Sequence, residues 1–220
     1  MRTIRVTGKG QIKVKPDMTR ITMTVTDVCE EYGETLRRSS EDTEALKDVL
    51  SGFGFEKTDL KTLNFNVDTE YESYRDKNND YKQRFVGYRF NHILKVEFES
   101  DNDRLGKILY ALAHCSIRPE FRISYTVKDP ESTKNLLLGK AVTDAKEKVA
   151  VLTQAAGVVL KDIQSIDYSW GEINFEYSPM RGAMLMECCE TPMAAKSYDL
   201  DIEPDDLEVS DTVTVIWEIG

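Results

Sequence analysis

One stretch of this sequence, residues 129–157, carries the signals of a long helix at both ends. Asp129 can accept hydrogen bonds from the free N–H groups of a first turn, and Pro130 suits a first helical position. Gly157 stands where a left-handed residue would end the last turn. Apolar residues recur between them at three- and four-residue steps: Leu138, Ala141, Val142, Ala145, Val149, Leu152 and Ala156. Because much of this stripe is alanine, the helix can closely approach a sheet or another helix.

The elements before this helix are predicted in the order βαββαβ. Between about residues 18 and 128, four segments alternate apolar and polar residues as strands do, and two segments have apolar residues at helical spacing. The clearest strand carries Val86, Tyr88, Phe90, His92, Leu94, Val96 and Phe98 on one side. This order is the split βαβ plan, an antiparallel sheet with two helices on one face. We therefore predict an α+β protein in which residues 18–128 form a ferredoxin-like lobe.

The rest of the chain, residues 1–15 with 129–220, is predicted to form a second small lobe. Its elements are the N-terminal strand, the long helix, a strand at 163–170 and a last strand near 209–219. The N-terminal strand has no partner in the first lobe, so we expect it to join the two C-terminal strands in a second sheet. Gly8 and Gly10 interrupt its alternation, which predicts a bulge or a bend.

Charge and hydropathy limit which partners and which location can be expected for the chain. Its 220 residues have a net charge of −10, whereas nucleic acid and anionic membranes favour a concentrated basic face. We therefore expect neither of them as a partner. A run of about 18 apolar residues, which a membrane helix needs, is absent. Residues 2–7 begin a strand pattern rather than the apolar core of a signal peptide. These observations predict a cytoplasmic protein.

Several motifs together resemble the SIMPL-domain family, bacterial proteins of poorly defined function. They are the opening I-R-V-T-G-K-G with Pro16-Asp17, the segment F-E-K-T-D-L-K-T-L, Tyr71, V-G-Y at 86–88, A-V-T-D-A-K-E-K-V-A-V-L-T-Q-A-A-G-V, and the ending I-E-P-D-D-L-E-V-S-D-T-V-T-V-I-W-E-I. Their order and spacing extend over nearly the whole chain. The resemblance implies one SIMPL-type domain of two lobes across residues 1–220.

The resemblance also implies a tendency to form homo-oligomers. Some relatives assemble into ring- or channel-like particles, and some are linked to protection from oxidative stress, so a stress-related role is implied here. Most relatives are exported, as periplasmic or outer-membrane antigens are, whereas this sequence departs from them in its N-terminal pattern. The family offers no established catalytic residues, so none is carried over.

The most unusual composition lies at residues 180–193. This segment contains Met180, Met184, Met186, Cys188, Cys189 and Met193. Thioethers and thiolates are soft ligands that suit Cu(I), and they are also the oxidisable side chains. Cys188, Cys189, Met184 and Met186 are therefore the candidates for a soft-metal or redox site. The alternative, which we favour because no histidine accompanies them, is a loop or subunit contact in which methionine fills irregular apolar contacts.

The two histidines are the remaining candidates for chemistry. His92 lies on the apolar side of its strand, and an imidazole there could act as a base or a ligand. Because no second ligand lies at suitable spacing on that face, we expect a hydrogen-bonded core histidine. His114 and Cys115 are adjacent at a helix end, where neighbouring side chains point in different directions, so we do not expect a nucleophile pair.

No catalytic motif appears in the sequence. The hypothesis that follows is a non-enzymatic, self-associating, cytoplasmic SIMPL-type protein, with no catalytic residue, no metal and no cofactor. Two alternatives stay open. One is a redox or Cu(I) module at residues 180–193, and the other is a small-molecule binding protein whose ligand the sequence does not identify.

Overall fold

A computed structural model describes residues 2–168, 175–176 and 204–220. This part of the chain has three helices and two antiparallel sheets, so the predicted α+β class is confirmed. The strands are β1 (Arg2–Val14), β2 (Met18–Cys29), β3 (Lys61–Arg75), β4 (Tyr81–Glu99), β5 (Glu120–Thr126), β6 (Leu160–Tyr168) and β7 (Leu207–Ile219). The helices are α1 (Tyr32–Ser51), α2 (Asn102–His114) and α3 (Pro130–Ala156). None of these helices is both long enough and apolar enough to cross a membrane.

The described residues form two compact units. The first contains those within 1–17, 125–177 and 204–220, and the second contains those within 18–124. In the first unit, α3 covers a three-stranded sheet with the strand order β1-β7-β6. The pairing of β1 with β7 extends from Arg2 opposite Ile219 to Val14 opposite Leu207. This is the sheet that the sequence predicted for the N-terminal strand.

Both ends of α3 have the geometry that the sequence predicted. The side chain of Asp129 accepts a hydrogen bond from the Ser132 N–H at 2.9 Å. Gly157 ends the helix with a left-handed φ of 66°. The helix packs on the sheet through a core made of Val6, Ala141, Ala145, Val149, Val213, Val215 and Trp217.

Two glycines of β1 allow α3 to lie directly against the strand. A Cβ atom at Gly8 would stand 2.0 Å from the carbonyl oxygen of Ala141, and one at Gly10 would stand 2.2 Å from that of Leu137. The register of β1 with β7 is unbroken through both glycines, so the prediction of a bulge or bend was wrong. The glycines are needed instead for the close approach of two backbones.

In the second unit, a four-stranded sheet has the order β3-β4-β2-β5. Burial alternates along β2 and along the sheet-bound half of β4, as it does in a sheet with one covered face. The helices α1 and α2 share one apolar core with these strands. Its fully buried members include Ile21, Met23, Leu46, Leu50, Phe90, Leu94, Val96, Leu105, Ile108 and Leu112.

The strands β3 and β4 extend beyond this sheet as a two-stranded ribbon, residues 70–87. The pairing of β2 with β4 stops at Cys29 opposite Tyr88, whereas β3 and β4 stay paired out to Arg75 opposite Tyr81. A register shift after Glu70 marks the base of the ribbon. Every residue of β3 is exposed or half-buried, because this strand is an edge of the sheet.

Candidate functional site

The sulfur-containing candidates at residues 180–193 lie outside the described residues, so a soft-metal or redox site there stays a prediction. Within the described ranges, Cys29 and Cys115 are half-buried free thiols. No group of three or more His, Cys, Asp or Glu side chains is placed to hold a metal ion in this part of the chain. Two features of the described residues are considered as candidate sites: a cleft beside His92 and the surface of the ribbon.

His92 is hydrogen-bonded, as the sequence predicted, but it lines a cleft rather than the core. Its Nδ1 atom lies 3.3 Å from the Ser39 hydroxyl and 3.2 Å from the Thr43 hydroxyl, both on α1. Its Nε2 atom lies 2.9 Å from the Thr62 hydroxyl on β3. The imidazole therefore joins the helix to the edge strand across the cleft.

Hydroxyl groups pair with both ring nitrogens of His92. The Thr43 hydroxyl donates its one proton to the Ser39 carbonyl oxygen at 2.7 Å. The Thr43 oxygen can accept from Nδ1–H in one neutral tautomer, whereas the Ser39 hydroxyl can donate to Nδ1 in the other, and the Thr62 hydroxyl can pair with Nε2 in both. Burial, and next the nearby charge of Lys47, lower the pKa of His92 from its usual 6.5. The lowered pKa favours the neutral ring at neutral pH, and its nitrogens pair with hydroxyl groups of α1 and β3.

The lowered pKa of His92 predicts a pH-dependent stability. As the pH falls below 6.5, the usual pKa, His92 binds a proton more readily in the unfolded chain than in the folded chain. The free energy of unfolding should therefore decrease as the pH falls below 6.5. His92→Gln keeps hydrogen-bonding groups but does not titrate, so we expect a smaller decrease. Urea unfolding midpoints at about pH 7.5 and about pH 5.5 measure this difference.

His114→Gln is the matched control for this experiment. The His114 Nδ1 atom lies 2.8 Å from the Tyr110 carbonyl oxygen at an exposed helix end, away from the His92 cleft. Comparison of the two variants separates the effect of the His92 site from that of removing a histidine elsewhere in the second unit. An identical decrease in the parent and in His92→Gln would contradict the prediction.

A row of aromatic rings lies along the base of the ribbon. Tyr71 meets Phe85 edge to face with ring centroids 5.7 Å apart, and Phe85 meets Tyr88 at 5.4 Å. Tyr88 in turn meets Tyr32, at the start of α1, at 5.4 Å. Large exposed aromatic groups that adjoin one another mark surfaces that bind other molecules.

The charges of the ribbon are balanced. Residues 70–87 contain four acidic side chains (Glu70, Glu72, Asp76, Asp80) and four basic ones (Arg75, Lys77, Lys82, Arg84). Two ion pairs join its sides at 2.6 Å, Arg84 with Glu72 and Lys82 with Asp76. The pKa of the Asp76 carboxyl is lowered, first by its hydrogen bond with Lys82 and then by hydrogen bonds from the backbone N–H groups of Asp80 and Asn78. The ribbon is therefore locally neutral on a chain whose net charge is −10.

Neither the cleft beside His92 nor the surface of the ribbon was predicted from the sequence. The hydroxyl partners Ser39, Thr43 and Thr62 are 53, 49 and 30 residues from His92, and no pattern of spacing connects them. The ribbon did leave a signal in the sequence, since tyrosines and mixed charges lie on both sides of residues 76–80, which connect β3 to β4. Alternation alone does not reveal which strand is the edge of a sheet.

A family model described as SIMPL, protein of unknown function (DUF541), matches residues 4–217. Two similar curated proteins are both named 26 kDa periplasmic immunogenic protein. The one from Brucella melitensis biotype 1 is 27% identical and the one from Brucella abortus strain S19 is 26% identical, each over 163 residues. These matches cover 74% of this chain but only 65% of each relative, less than two thirds of its length.

The names of these relatives overturn one expectation. The sequence predicted a non-enzymatic, self-associating, cytoplasmic protein, and the cytoplasmic location is wrong because both relatives are named periplasmic proteins. That prediction depended on the absence of a signal-peptide pattern at residues 2–7.

Proposed function

This chain belongs to the SIMPL family, and from that membership we propose that it is a periplasmic binding protein that associates with further copies of itself through β3 and the ribbon. The periplasmic location is supported by the names of the two Brucella relatives. Binding is supported by the exposed aromatic side chains that adjoin one another at the base of the ribbon. Recovery of the chain from the periplasmic rather than the cytoplasmic fraction of cells checks the location.

The observation that carries this proposal is the outer edge of β3, with which no other described strand pairs. The strand is outermost in its sheet, and none of its residues is buried. The outer side of an edge strand presents backbone N–H and C=O groups that can pair with a strand of another molecule. Antiparallel pairing of two copies of β3 would continue the sheet, and a twofold axis would make the contact self-complementary.

The charge distribution favours a second copy as the partner. Two chains with a net charge of −10 repel each other over most of their surface. The ribbon is the exception, because its four acidic and four basic side chains cancel. Two ribbons can therefore meet without that repulsion. The same net charge supports our proposal that nucleic acid is not a partner.

Exposed aromatic side chains would stabilise the contact. Tyr71, Tyr74, Phe85 and Tyr81 are between 43% and 74% exposed. Complete burial of a large apolar side chain contributes about 1.5–3 kcal/mol. A few such rings in an interface are enough to offset part of the entropy that two associating chains lose.

Light scattering after size-exclusion chromatography tests the association. We expect the parent chain to be oligomeric at micromolar concentrations. Tyr71→Glu combined with Phe85→Glu places two charges in the aromatic row and should weaken association by roughly thirtyfold, the effect of losing one interface hot spot. Both rings are exposed, so the fold should survive the change.

Val151→Glu is the matched control, because Val151 is 67% exposed on α3, in the first unit. This variant adds charge to an exposed apolar position outside the ribbon and should keep the mass of the parent. A parent chain that is monomeric throughout the micromolar range would overturn the proposal. So would equal masses for the parent and the double variant.

We also propose that residues 18–128, which include the described part of the second unit, form the ferredoxin-like lobe, with 1–15 and 129–220 as the second lobe. The strand order β3-β4-β2-β5 supports this, because the split βαβ plan places the third strand of the lobe between its first and second. The shared core of α1 and α2 supports two helices on one face. A crystal structure with these helices on opposite faces of the sheet would contradict it.

A further inference from the structure

The cleft beside His92 has a size and a chemistry that the proposed self-association does not explain. Its volume is about 420 Å³, and it lies between α1 and β3 within the second unit. Sites for small molecules commonly have volumes of about 300–1,000 Å³ and combine apolar walls with a few fixed polar groups. The cleft therefore has room for a small organic molecule.

The helix α1 gives this cleft one apolar end and one charged end. Leu36, Thr43 and Lys47 follow one another at steps of seven and four residues, which places them on one face of the helix. At about 1.5 Å per residue, Leu36 and Lys47 are roughly 16 Å apart along the axis. Leu36 is 40% exposed, and the hydroxyl groups bound to His92 lie between the two ends.

The residues of β3 that line the cleft are arranged with the same polar and apolar ends as those of α1. Tyr32, at the start of α1, contacts Tyr88 of β4, and Tyr88 is paired with Thr69 of β3. Further along α1, Thr43 contacts His92 of β4, and His92 is paired with Phe65, which comes earlier in β3. The two elements therefore run in opposite directions. Thr62 lies towards the Lys47 end and Phe65 towards the Leu36 end. The Phe65 ring meets the His92 ring edge to face at 5.0 Å and remains exposed.

We propose that this cleft binds a small amphipathic carboxylate, with its carboxylate group at Lys47 and its apolar body against Leu36 and Phe65. Lys47 is the one lysine or arginine among the described residues that line the cleft. Glu44 also lines the cleft and contacts Lys47 at 2.6 Å, so the carboxylate of the ligand must take the place of Glu44 at Lys47. The Lys47 side chain is three-quarters buried, so its attraction for a carboxylate is less screened than at an open surface.

The ion pairs around Lys47 allow it to engage a ligand. Glu44 contacts Lys47 at 2.6 Å and also contacts Lys57 at 3.1 Å. When Lys47 turns to a bound carboxylate, Glu44 therefore keeps a second ammonium partner. The hydrogen bonds of His92 hold α1 and β3 together on either side of the cleft, so the walls are formed before a ligand arrives.

Titration with sodium octanoate, followed by amide chemical shifts in the intact chain, tests this site. We expect shifts on α1 and β3 and a Kd of about 1–5 mM, consistent with a ligand of this size. Lys47→Met should raise the octanoate Kd about tenfold by removing one ion pair. Leu36→Asn should raise it by a similar factor through lost apolar contact. Both positions are on the helix surface, and a circular dichroism melt checks that each variant is folded.

Two controls separate the charge from the apolar contact. Octanamide has the same apolar body without the charge, so it should bind about tenfold more weakly than octanoate and be unaffected by Lys47→Met. Lys107→Met removes an exposed lysine on α2 that neither lines the cleft nor contacts Glu44, and it should leave the octanoate Kd unchanged. Absence of shifts on α1 and β3, or equal octanoate affinity in the parent and Lys47→Met, would overturn the proposal.

Discussion

Gly10→Ala will decrease the free energy of unfolding of the first unit by about 3 kcal/mol or more. The added Cβ atom would stand 2.2 Å from the Leu137 carbonyl oxygen and 3.1 Å from the Ala141 nitrogen. These are backbone atoms of α3, so no side chain can turn aside to make room. The helix must move away from β1, and buried contacts between α3 and the sheet are then lost. Gly8→Ala should have a comparable effect, because its Cβ would stand 2.0 Å from the Ala141 oxygen.

Gly139→Ala on the same helix is the matched control. No heavy atom lies within 4 Å of a Cβ built at Gly139. Alanine is favoured over glycine in a helix by up to about 1 kcal/mol, so this variant should be slightly more stable than the parent. Urea unfolding measures all three variants. If Gly10→Ala and Gly139→Ala have the same stability, the close approach of β1 and α3 is not as described.

Gly87→Ala should have the second-largest effect, with a loss of about 2–3 kcal/mol in the second unit. Gly87 has a φ of 157°, and a Cβ there would stand 2.3 Å from the Cys29 carbonyl oxygen. Cys29 is the last residue of β2, so the clash falls where the ribbon leaves the sheet. Relief of the clash requires the ribbon to change its direction. We therefore expect this variant also to weaken self-association.

Gly33→Ala controls for the general effect of adding a methyl group near this point. Gly33 is in the first turn of α1, and a Cβ there meets no heavy atom within 4 Å. Its stability should stay within about 1 kcal/mol of the parent. Urea unfolding and light scattering on both variants separate stability from association. A Gly87→Ala chain with the stability and mass of the parent would contradict the role given to this glycine.

Features that depend on neighbours in sequence could be predicted. The cap of Asp129 and the left-handed Gly157 act within one helical turn of α3, so local residue types are sufficient to predict both ends. Alternation along β4 likewise predicts which of its residues face the core. The role of Gly8 could not be predicted, because the atom that excludes a side chain there belongs to Ala141, on an element far along the chain.

The candidate site was less predictable than the fold for the same reason. His92 could be expected to need hydrogen bonds, but its partners come from a helix and an edge strand that meet only in the folded unit. The location was predicted wrongly because the absence of a pattern carries no positive information. The names of similar proteins supplied that correction.

The pairing of β1 with β7 has a consequence for the order of folding. The hydroxyl groups of Thr7 and Thr214 lie 3.0 Å apart although 207 residues separate them in sequence. Contacts of such long range form slowly, because closing a large loop costs conformational entropy before any stabilising contact has formed. β1 cannot take its place until β7 is available, whereas the described elements of the second unit are contiguous in the chain. The second unit can therefore form before β1 pairs with β7.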